Sequence, residues 1–250
     1  MIVMMMTTAV EGIERATAAA VAPDEVEELR GWLIAYDRGT VNRARSAVPL
    51  SHEAADAAAI EEIVSRYRAR RMMPNFRIPQ LALMAAVQRE LARHALQPLQ
   101  PTQVLVADAS DVGAAADAHG VQIDMSPDRA WSEVFLGEGF DPVDGASRVA
   151  TLARAPGSLF ASVREGDRVL AGGVLALGHG WASVHGMRTA LAHRGQGLAS
   201  RVLAALAQRA TADGYARMVL QVEVGNDVAT RVYTRCGFKH AWTYDYWREL

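Results

Sequence analysis

Two short stretches in the last third of the chain hold residue types that could bind a phosphorylated ligand and transfer a proton. The first is HRGQGLAS, residues 193–200, which lies between a β-like run and an amphipathic run. Glycines let a phosphate approach the backbone, and a helix start offers free N–H groups and the positive end of the helix dipole. Arg194 could add charge. A plain turn remains the alternative for this stretch alone, because it has no Walker-loop lysine and Ser200 replaces the third glycine of a dinucleotide fingerprint.

The second stretch is NDVATRVYTRCGF, residues 226–238, with the spacing N-x-x-A-x-x-x-Y-x-x-x-G-F. Ala229 and Tyr233 are four residues apart, so they share one face of a helix. The small side chain would let a ligand lie close to that face, and the tyrosine hydroxyl would point at the ligand. A capped helix with a packed tyrosine is the alternative interpretation.

The elements around these stretches follow a regular order. Hydrophobic periodicity and turn residues predict strands at 121–125, 158–163, 168–177, 181–189, 218–224 and 238–248, and helices at 128–136, 145–154, 197–213 and 227–235. The first half mixes both types as well. Strands are predicted at 32–36, 41–48, 76–78 and 102–107, and helices at 51–70, with Ser51 as N-cap, and at 80–96.

The segment DASDVGAAADAHG, residues 108–120, is polar and rich in alanine and glycine, and we place a domain boundary there. The sequence thus predicts a loose or helical leader at 1–23, an α+β domain at 24–118 and a second domain at 119–250.

Composition narrows the class of protein. The chain has 250 residues with a net charge of −2, which argues against nucleic acid or an anionic membrane as a partner. The single cysteine excludes an intrachain disulfide and a cysteine metal cluster, and together with an N-terminus that lacks a basic n-region it predicts a cytoplasmic protein. No apolar run is long enough to span a membrane. No spacing of His, Asp or Glu suggests a metal site.

Taken together, the two stretches resemble the GNAT superfamily of N-acetyltransferases. Arg194-x-x-Gly197-x-Ala199 looks like its acyl-CoA pyrophosphate loop, and the stretch from Asn226 to Phe238 looks like its later helix. The resemblance covers roughly residues 120–250. It implies an α+β fold in which helices flank a mixed, mainly antiparallel sheet with splayed central strands, preceded here by the smaller α+β domain.

The resemblance also implies roles for individual residues, with acetyl-CoA as co-substrate and no metal. The acyl-pantetheine would pair with the open strand at Met187, Arg188 and Thr189, beside Asn226 and Ala229. A backbone N–H near Met187 would stabilise the oxyanion, and Tyr233 would protonate the leaving thiolate. The pyrophosphate would be held by Arg194 and by the backbone of Gly195, Gln196, Gly197, Leu198, Ala199 and Ser200.

The sequence offers two candidates for the general base. Glu223 is the first candidate, because it lies beside the splay and burial could raise its pKa; pairing with an arginine is the alternative. His185 is a second candidate, although on an alternating strand it could face either solvent or core. Cys236 is expected to be a buried structural thiol. The carboxylates of Glu61, Glu62, Asp128 and Glu133 are expected on solvated helix faces.

The first half lacks both motifs. Its segments GWLIAYDRGTVNRARSAVPL and RMMPNFRIP resemble the N-terminal halves of two-part members of the superfamily, in which the first half can be a degenerate copy. That half would wall one side of the substrate pocket or form an oligomer contact, as in a homodimer. Trp32, Phe76 and Arg77 are expected to line the pocket, with a core position as the alternative for the two aromatic residues.

The expected function is transfer of an acetyl group to a primary amine of a small molecule by direct attack in a ternary complex. Two alternatives remain open: acetylation of a protein or peptide, and a non-catalytic module that senses acyl-CoA.

Overall fold

The described strands of the computed structural model form a single sheet. The structure describes residues 2–137 and 141–250, with side chains from residue 9 onward; Met1 of the predicted leader lies outside it. The strands are β1 Glu25–Leu29, β2 Trp32–Tyr36, β3 Ala47–Pro49, β4 Asn75–Pro79, β5 Gln97–Asp108, β6 Val121–Asp124, β7 Leu159–Glu165, β8 Arg168–Gly178, β9 Trp181–Thr189, β10 Arg217–Glu223 and β11 Lys239–Arg248. Their order is β1-β2-β3-β4-β11-β5-β10-β9-β8-β7-β6.

The sheet is mixed and mainly antiparallel. Among the described strands, β3 runs parallel to β4 and β9 runs parallel to β10, and every other neighbouring pair is antiparallel. Eight helices accompany it in the described chain: α1 Ile2–Val21, α2 Ala59–Ala69, α3 Ala85–Arg93, α4 Ala109–Ala114, α5 Arg129–Glu133, α6 Pro142–Ala153, α7 Leu198–Ala212 and α8 Asp227–Arg235. The predicted α+β class is therefore confirmed.

Helices cover both faces of the central strands. Met218 and Leu220 of β10 pack with the buried face of α7, whereas Val219 between them packs with Ile13 of α1. This alternation follows from the two-residue period of a strand. The predicted leader is thus a helix seated on the sheet.

A separate core lies under the first strands. Trp32 of β2 and Phe76 of β4 are completely buried and pack against α2 and α3. The helix predicted from Ser51 begins only at Ala59, so the predicted N-cap is wrong. The hydroxyl of Ser51 instead accepts the Glu53 N–H at 3.2 Å in a turn that precedes the helix.

The predicted strand at 41–48 is mostly a short 3₁₀ turn, Asn42–Arg45, followed by β3. The N–H of Ala44 donates to the Val41 carbonyl at 2.9 Å, and Arg45 donates to the Asn42 side chain at 3.3 Å. The bond from Ala44 to Val41 uses backbone groups that strand pairing would otherwise need.

Strand β5 joins the two halves of the sequence. It lies between β10 and β11, with Leu105 opposite Leu220 on one side and opposite His240 on the other. The segment at 108–120 contains α4, whose Ala109 and Val112 are completely buried in the core under α7. The domain boundary near residue 118 stays a prediction, and β5 from before it forms part of the central sheet.

Candidate active site

Strands β9 and β10 pair briefly and then separate. They are hydrogen-bonded in parallel only where Ala182–Val184 faces Met218–Leu220. Beyond this point β9 continues against β8, and β10 continues against β5. Residues 185–189 of β9 therefore have an edge without a strand partner among the described residues, as the resemblance predicts.

A bulge in β9 marks the point of separation. His185 lies opposite Val174 of β8, but Arg188 lies opposite Gly172, so β9 holds one extra residue. Gly186 adopts a φ of +59°, and a Cβ there would lie 2.8 Å from Cδ1 of Leu152 and 3.2 Å from Cζ of Phe135. Both the conformation and the close approach favour glycine at this position.

The cleft between the strands holds a cavity of about 280 Å³. Its walls come from both strands, from α8 and from the first half of the chain. The lining includes Thr40, Arg43, Gln100, Thr102, Arg148, His185, Gly186, Met187, Arg188, Leu220, Gln221, Glu223, Asn226, Tyr233, Tyr244 and Tyr246.

Tyr233 of α8 lies on the wall of this cavity. Its side chain is buried, with its ring packed edge-on against Phe238 at 6.2 Å between centroids. Burial raises the pKa of Tyr233 to about 12, although the positive charge of Arg188 opposes the shift. The hydroxyl therefore keeps its proton at neutral pH.

The start of α8 is fixed by Asn226. The side-chain oxygen of this residue accepts the Ala229 N–H at 3.2 Å, which is an N-cap bond. Ala229 is half-buried against the core under α7. Asn226 also lines the cavity.

The HRGQGLAS loop leads into α7 without a side-chain cap. Gly195 and Gly197 have φ values of +77° and +75°, and no atom lies within 4 Å of a Cβ placed on either. Gly197 is the N-cap residue, so the first N–H groups of α7 have no side-chain partner. The segment from Arg194 to Gly197 is exposed, whereas the Leu198 side chain is buried in the core.

Of the three residues predicted to pair with the pantetheine, two line the cavity and one does not. Met187 and Arg188 line the cavity; the Arg188 guanidinium lies 5.6 Å from the centre of the Phe135 ring, and burial lowers its pKa. Thr189 pairs with Ala171 of β8, and its carbonyl accepts a bond from Arg194 at 3.5 Å.

The two candidate bases lie on opposite strands of the cleft. Glu223 ends β10 and is exposed, and its carboxylate accepts a bond from the Gln100 side chain at 3.4 Å. His185 of β9 is buried, with Nε2 at 2.6 Å from the Ser183 hydroxyl. Burial, followed by the charge of Arg43, holds the pKa of His185 well below its ordinary value, so this ring is neutral at pH 7.

Cys236 is buried next to the Ser200 hydroxyl, and burial raises the pKa of its thiol. The expectation of a buried thiol is confirmed. The hydroxyl of Ser200 is thus turned toward this thiol, which leaves the backbone N–H as the group of Ser200 that could meet a ligand.

The expectation that Trp32, Phe76 and Arg77 line the pocket is wrong. The two aromatic rings belong to the core under the first strands, which was the alternative. The guanidinium of Arg77 is also buried, and it pairs with Glu14 of α1 at 2.7 Å.

The residues that the first half contributes to the cavity belong to no recognisable motif and were not predicted from the sequence. Asn42, Arg43 and Gln100 lie far from both motifs in the sequence, and they reach the cavity through the 3₁₀ turn and through β5. Their polar type in otherwise strand-like runs was the available signal. Tyr244, whose hydroxyl donates to the side chain of Gln221 at 2.9 Å, was missed for a different reason, since tyrosines are common in strands.

The arrangement of the sheet is that of the GNAT acetyltransferases. The chain superposes on a GCN5-related N-acetyltransferase from Kribbella flavida with a TM-score of 0.69 and 17% identity, covering 96% of this chain and 95% of that chain. A GCN5-related N-acetyltransferase from Sphaerobacter thermophilus superposes with a TM-score of 0.62 and 14% identity over 97% and 93% of the two chains. A tandem GNAT protein from the clavulanic acid biosynthesis pathway superposes with a TM-score of 0.59 and 12% identity, covering 96% of this chain and 94% of that chain. At these identities the likeness establishes the fold.

Residues 7–247 match the family described as probable histone acetyltransferase Rv0428c, C-terminal, and the chain belongs to this family. It is therefore an acyltransferase of the GNAT type. No curated protein matches the sequence. Within the described residues, no helix is both long and apolar enough to cross a membrane, and no group of three or more His, Cys, Asp or Glu side chains is arranged to hold a metal ion.

Proposed function

We propose that this protein transfers the acetyl group of acetyl-CoA to a primary amine of a small molecule, which attacks directly in a ternary complex. The observation that carries the proposal is the cavity between the splayed strands. Tyr233 lies on its wall, Glu223 lies on the strand opposite the open edge of β9, and residues of the first half line its far side.

The residues present fit acetyl-CoA. The uncapped start of α7 offers the N–H groups of residues 195–200 to a pyrophosphate, and Arg194 is exposed beside them. The open edge of β9 at residues 187–189 offers backbone groups to the amides of the pantetheine, next to Asn226 and Ala229. When bound, acetyl-CoA supplies the thioester carbonyl that the amine attacks.

Two groups of the chain would stabilise the negative charges of the reaction, one on the leaving thiolate and one on the carbonyl oxygen. The Tyr233 hydroxyl would donate its proton to the sulfur as the carbon–sulfur bond breaks, and its raised pKa keeps the hydroxyl protonated at neutral pH before that step. A backbone N–H near Met187, on the open edge of β9, would stabilise the negative charge on the carbonyl oxygen.

Glu223 would accept the proton that the attacking amine must lose, directly or through water. It is exposed at the cavity and held by the Gln100 side chain. His185 is the second candidate, because it is neutral and therefore able to accept a proton, but burial makes it a weak base.

A small acceptor is favoured because residues of the first half form one wall of the cavity. The Thr40 hydroxyl donates to Asp144 of α6 at 2.7 Å, and its N–H donates to the Ser147 hydroxyl at 2.9 Å, which ties this cavity-lining segment to α6. Acetylation of a protein is the second candidate, and the name of the family favours it.

The first half, residues 24–118, is proposed to be a degenerate GNAT-like copy that serves the catalytic part at 119–250. Support comes from the tandem GNAT protein, which this chain matches over nearly its whole length. Residues Asn42 and Gln100 of that half lie at the cavity, which is consistent with an accessory role in forming the amine pocket. A homodimer contact remains a further proposal for this half.

Thiol release from acetyl-CoA, measured with a panel of small amines and with histone peptides, tests the proposal. Turnover with small amines and little with peptides is expected. The Tyr233→Phe variant should bind acetyl-CoA normally. Its turnover should be at least about 100-fold slower, because it lacks the general acid. Tyr215→Phe, which changes a tyrosine away from the cavity, is the matched control.

Turnover with peptides but with none of the small amines would instead support a protein as the acetyl acceptor. Binding of acetyl-CoA without turnover on any amine would instead support a sensor of acyl-CoA.

A further inference from the structure

Arg43 is a cation of the cavity that has no anionic partner among the described residues. Its side chain lines the cavity from the 3₁₀ turn, and its Nε is buried without a hydrogen-bond partner. A buried donor without an acceptor costs free energy, so such a group calls for a ligand that would satisfy it.

The turn that carries Arg43 is held firmly on both sides. Val41 and Ala44 are buried against Val21 at the end of α1. The Asn42 amide donates to the Gln100 side chain at 3.1 Å, and Arg248 donates to the Asn42 oxygen at 3.3 Å. The backbone that positions the Arg43 side chain is therefore fixed before any ligand arrives.

The positive charge of Arg43 acts on three other residues that line the cavity. Burial lowers the pKa of His185 and raises that of Tyr233 and Tyr244, and the positive charge of this guanidinium lowers all three. These three side chains come from β9, α8 and β11, so the guanidinium lies among groups on different walls.

The other arginines of the cavity are already engaged. Arg148 donates to the Asp144 carboxylate at 2.6 Å, and the Arg188 guanidinium lies over the Phe135 ring. Arg43 occurs in none of the ion pairs of the described residues, and its buried Nε has no hydrogen-bond partner there. It is therefore the guanidinium of this cavity that can take the carboxylate of a ligand.

The anionic counterpart in the cavity is nearby. Glu223 is linked to Asn42, the neighbour of Arg43, through the side chain of Gln100. Arg43 and Glu223 thus line the same cavity, and Gln100 bridges Glu223 to the residue that precedes Arg43. A small molecule with an amine at one end and an acid group close to it would match both.

Resting on the proposed function, we infer that the acceptor is a zwitterionic amine, an amino acid or a close derivative, whose carboxylate pairs with Arg43 while its amine faces Glu223. A planar guanidinium can hold a carboxylate through two parallel hydrogen bonds, which fixes orientation as well as charge. The lysine side chain of a protein carries no acid group next to its amine, so this pairing would also exclude protein acceptors.

Steady-state acetylation by the full chain tests this inference. Each common amino acid is compared with its amide and with the amine that lacks the carboxyl group, and thiol release is measured. We expect at least one amino acid to be a substrate, with kcat/KM falling about 100-fold when its carboxylate is removed or amidated, because a charge pair in a partly buried site is lost. An aminophosphonate of the same length shows whether the site prefers a carboxylate or accepts a phosphonate.

Three variants assign the preference to Arg43. In Arg43→Met the amino acid and its amide should become equally poor substrates, and Arg43→Lys should restore part of the preference. Arg148→Gln removes the same charge from the same cavity and should keep the preference, because Arg148 is already paired. Thermal unfolding and acetyl-CoA binding by calorimetry show that each variant is folded.

The possible outcomes distinguish failure of this inference from failure of the proposed function. Acetylation of amines without any preference for a carboxylate, or a preference that survives Arg43→Met, overturns this inference and leaves the proposed function standing. A weaker affinity for acetyl-CoA in Arg43→Met, with the preference intact, would assign the guanidinium to the co-substrate and also overturn it. Absence of transfer to every amine overturns the proposed function itself.

Discussion

Glu14 of α1 and Arg77 of β4 form an ion pair inside the protein, with Nη1 and Oε2 2.7 Å apart and each side chain 1% exposed. Arg77 also donates to the Ser46 hydroxyl at 3.2 Å, and its guanidinium lies 5.7 Å from the centre of the Tyr244 ring. Tyr244 in turn donates to Gln221 on the wall of the cavity. The first helix is thus connected through buried polar groups to the candidate active site.

Glu14→Gln should destabilise the protein strongly. Removing one member of a buried pair leaves an uncompensated charge, which costs about 3–5 kcal/mol of the free energy of unfolding. Denaturant unfolding measures this loss. The double variant Glu14→Leu with Arg77→Met should recover much of the stability, since neither charge then remains buried.

Glu11→Gln is the matched control for Glu14. It breaks the half-exposed pair with Arg15 on the same helix, and it should cost about 0.5 kcal/mol or less. If both single variants lose a similar amount of the free energy of unfolding, the buried pair stabilises the protein no more than the exposed pair does.

Gly197 and Gly214 lie at opposite ends of α7 in the same left-handed conformation, with φ of +75° and +84° and open space around each. Alanine at either position should therefore lower the free energy of unfolding by a similar amount, about 1–2 kcal/mol. Gly197→Ala alone should also weaken acetyl-CoA, by about tenfold, because the loss of one hydrogen bond from the loop N–H groups to a charged phosphate costs about 1.5 kcal/mol.

Calorimetry with acetyl-CoA on the two variants measures this difference. Equal affinities for Gly197→Ala and Gly214→Ala would remove the phosphate role from the loop and leave it as a turn, which was the interpretation of that stretch taken alone.

The sequence predicted the second half well because its signals are local. Gly197, Tyr233 and the periodic helices and strands around them specify structure within a few residues, and the strand at 181–189 has the predicted bounds. Because the strands and helices around them follow the order expected for the superfamily, the HRGQGLAS loop and the stretch from Asn226 to Phe238 could both be assigned to one acyl-CoA site, although each motif is weak alone.

The first half was harder because its contribution depends on distant contacts. Arg43 and Gln100 reach the cavity only because β5 inserts between β10 and β11 and because a 3₁₀ turn replaces part of a predicted strand. Arg77 was expected in the pocket because the first half was expected to wall it, but its partner Glu14 lies on a helix whose packing the sequence did not reveal.

Gly186→Ala should affect both stability and catalysis. The positive φ makes any side chain unfavourable, by about 1–3 kcal/mol, and the new Cβ would push against Leu152 and Phe135. Both neighbours line the cavity, so KM for the amine should rise as well. Thermal unfolding and steady-state kinetics measure the two effects.

Gly178→Ala, at the end of β8, has no atom within 4 Å of the new Cβ and is the matched control. It should leave stability and KM nearly unchanged. If Gly186→Ala behaves in the same way, neither the positive φ nor the close approach to Leu152 and Phe135 makes glycine necessary at this position.

His52 and His185 should make the protein less stable in mild acid. Burial lowers the pKa of His52 to about 4 and holds that of His185 well below 6.5, so both rings are neutral in the folded state. In the unfolded chain they take up protons below about pH 6.5. The unfolded state then binds more protons, so the free energy of unfolding falls as the pH drops below that value, by about 1.4 kcal/mol per pH unit for each histidine.

Denaturant unfolding between pH 7 and pH 5 measures this slope. The range stays above the pH at which most carboxylates protonate, which would add their own contribution. His52→Gln should give a shallower slope, since the ring that lies 4.9 Å from Trp242 no longer has to remain uncharged. His240→Gln, at an exposed position, should keep the slope of the unmodified protein. Parallel curves for all three proteins would mean that the His52 ring is protonated without unfolding, and that its site admits water at mild acid pH.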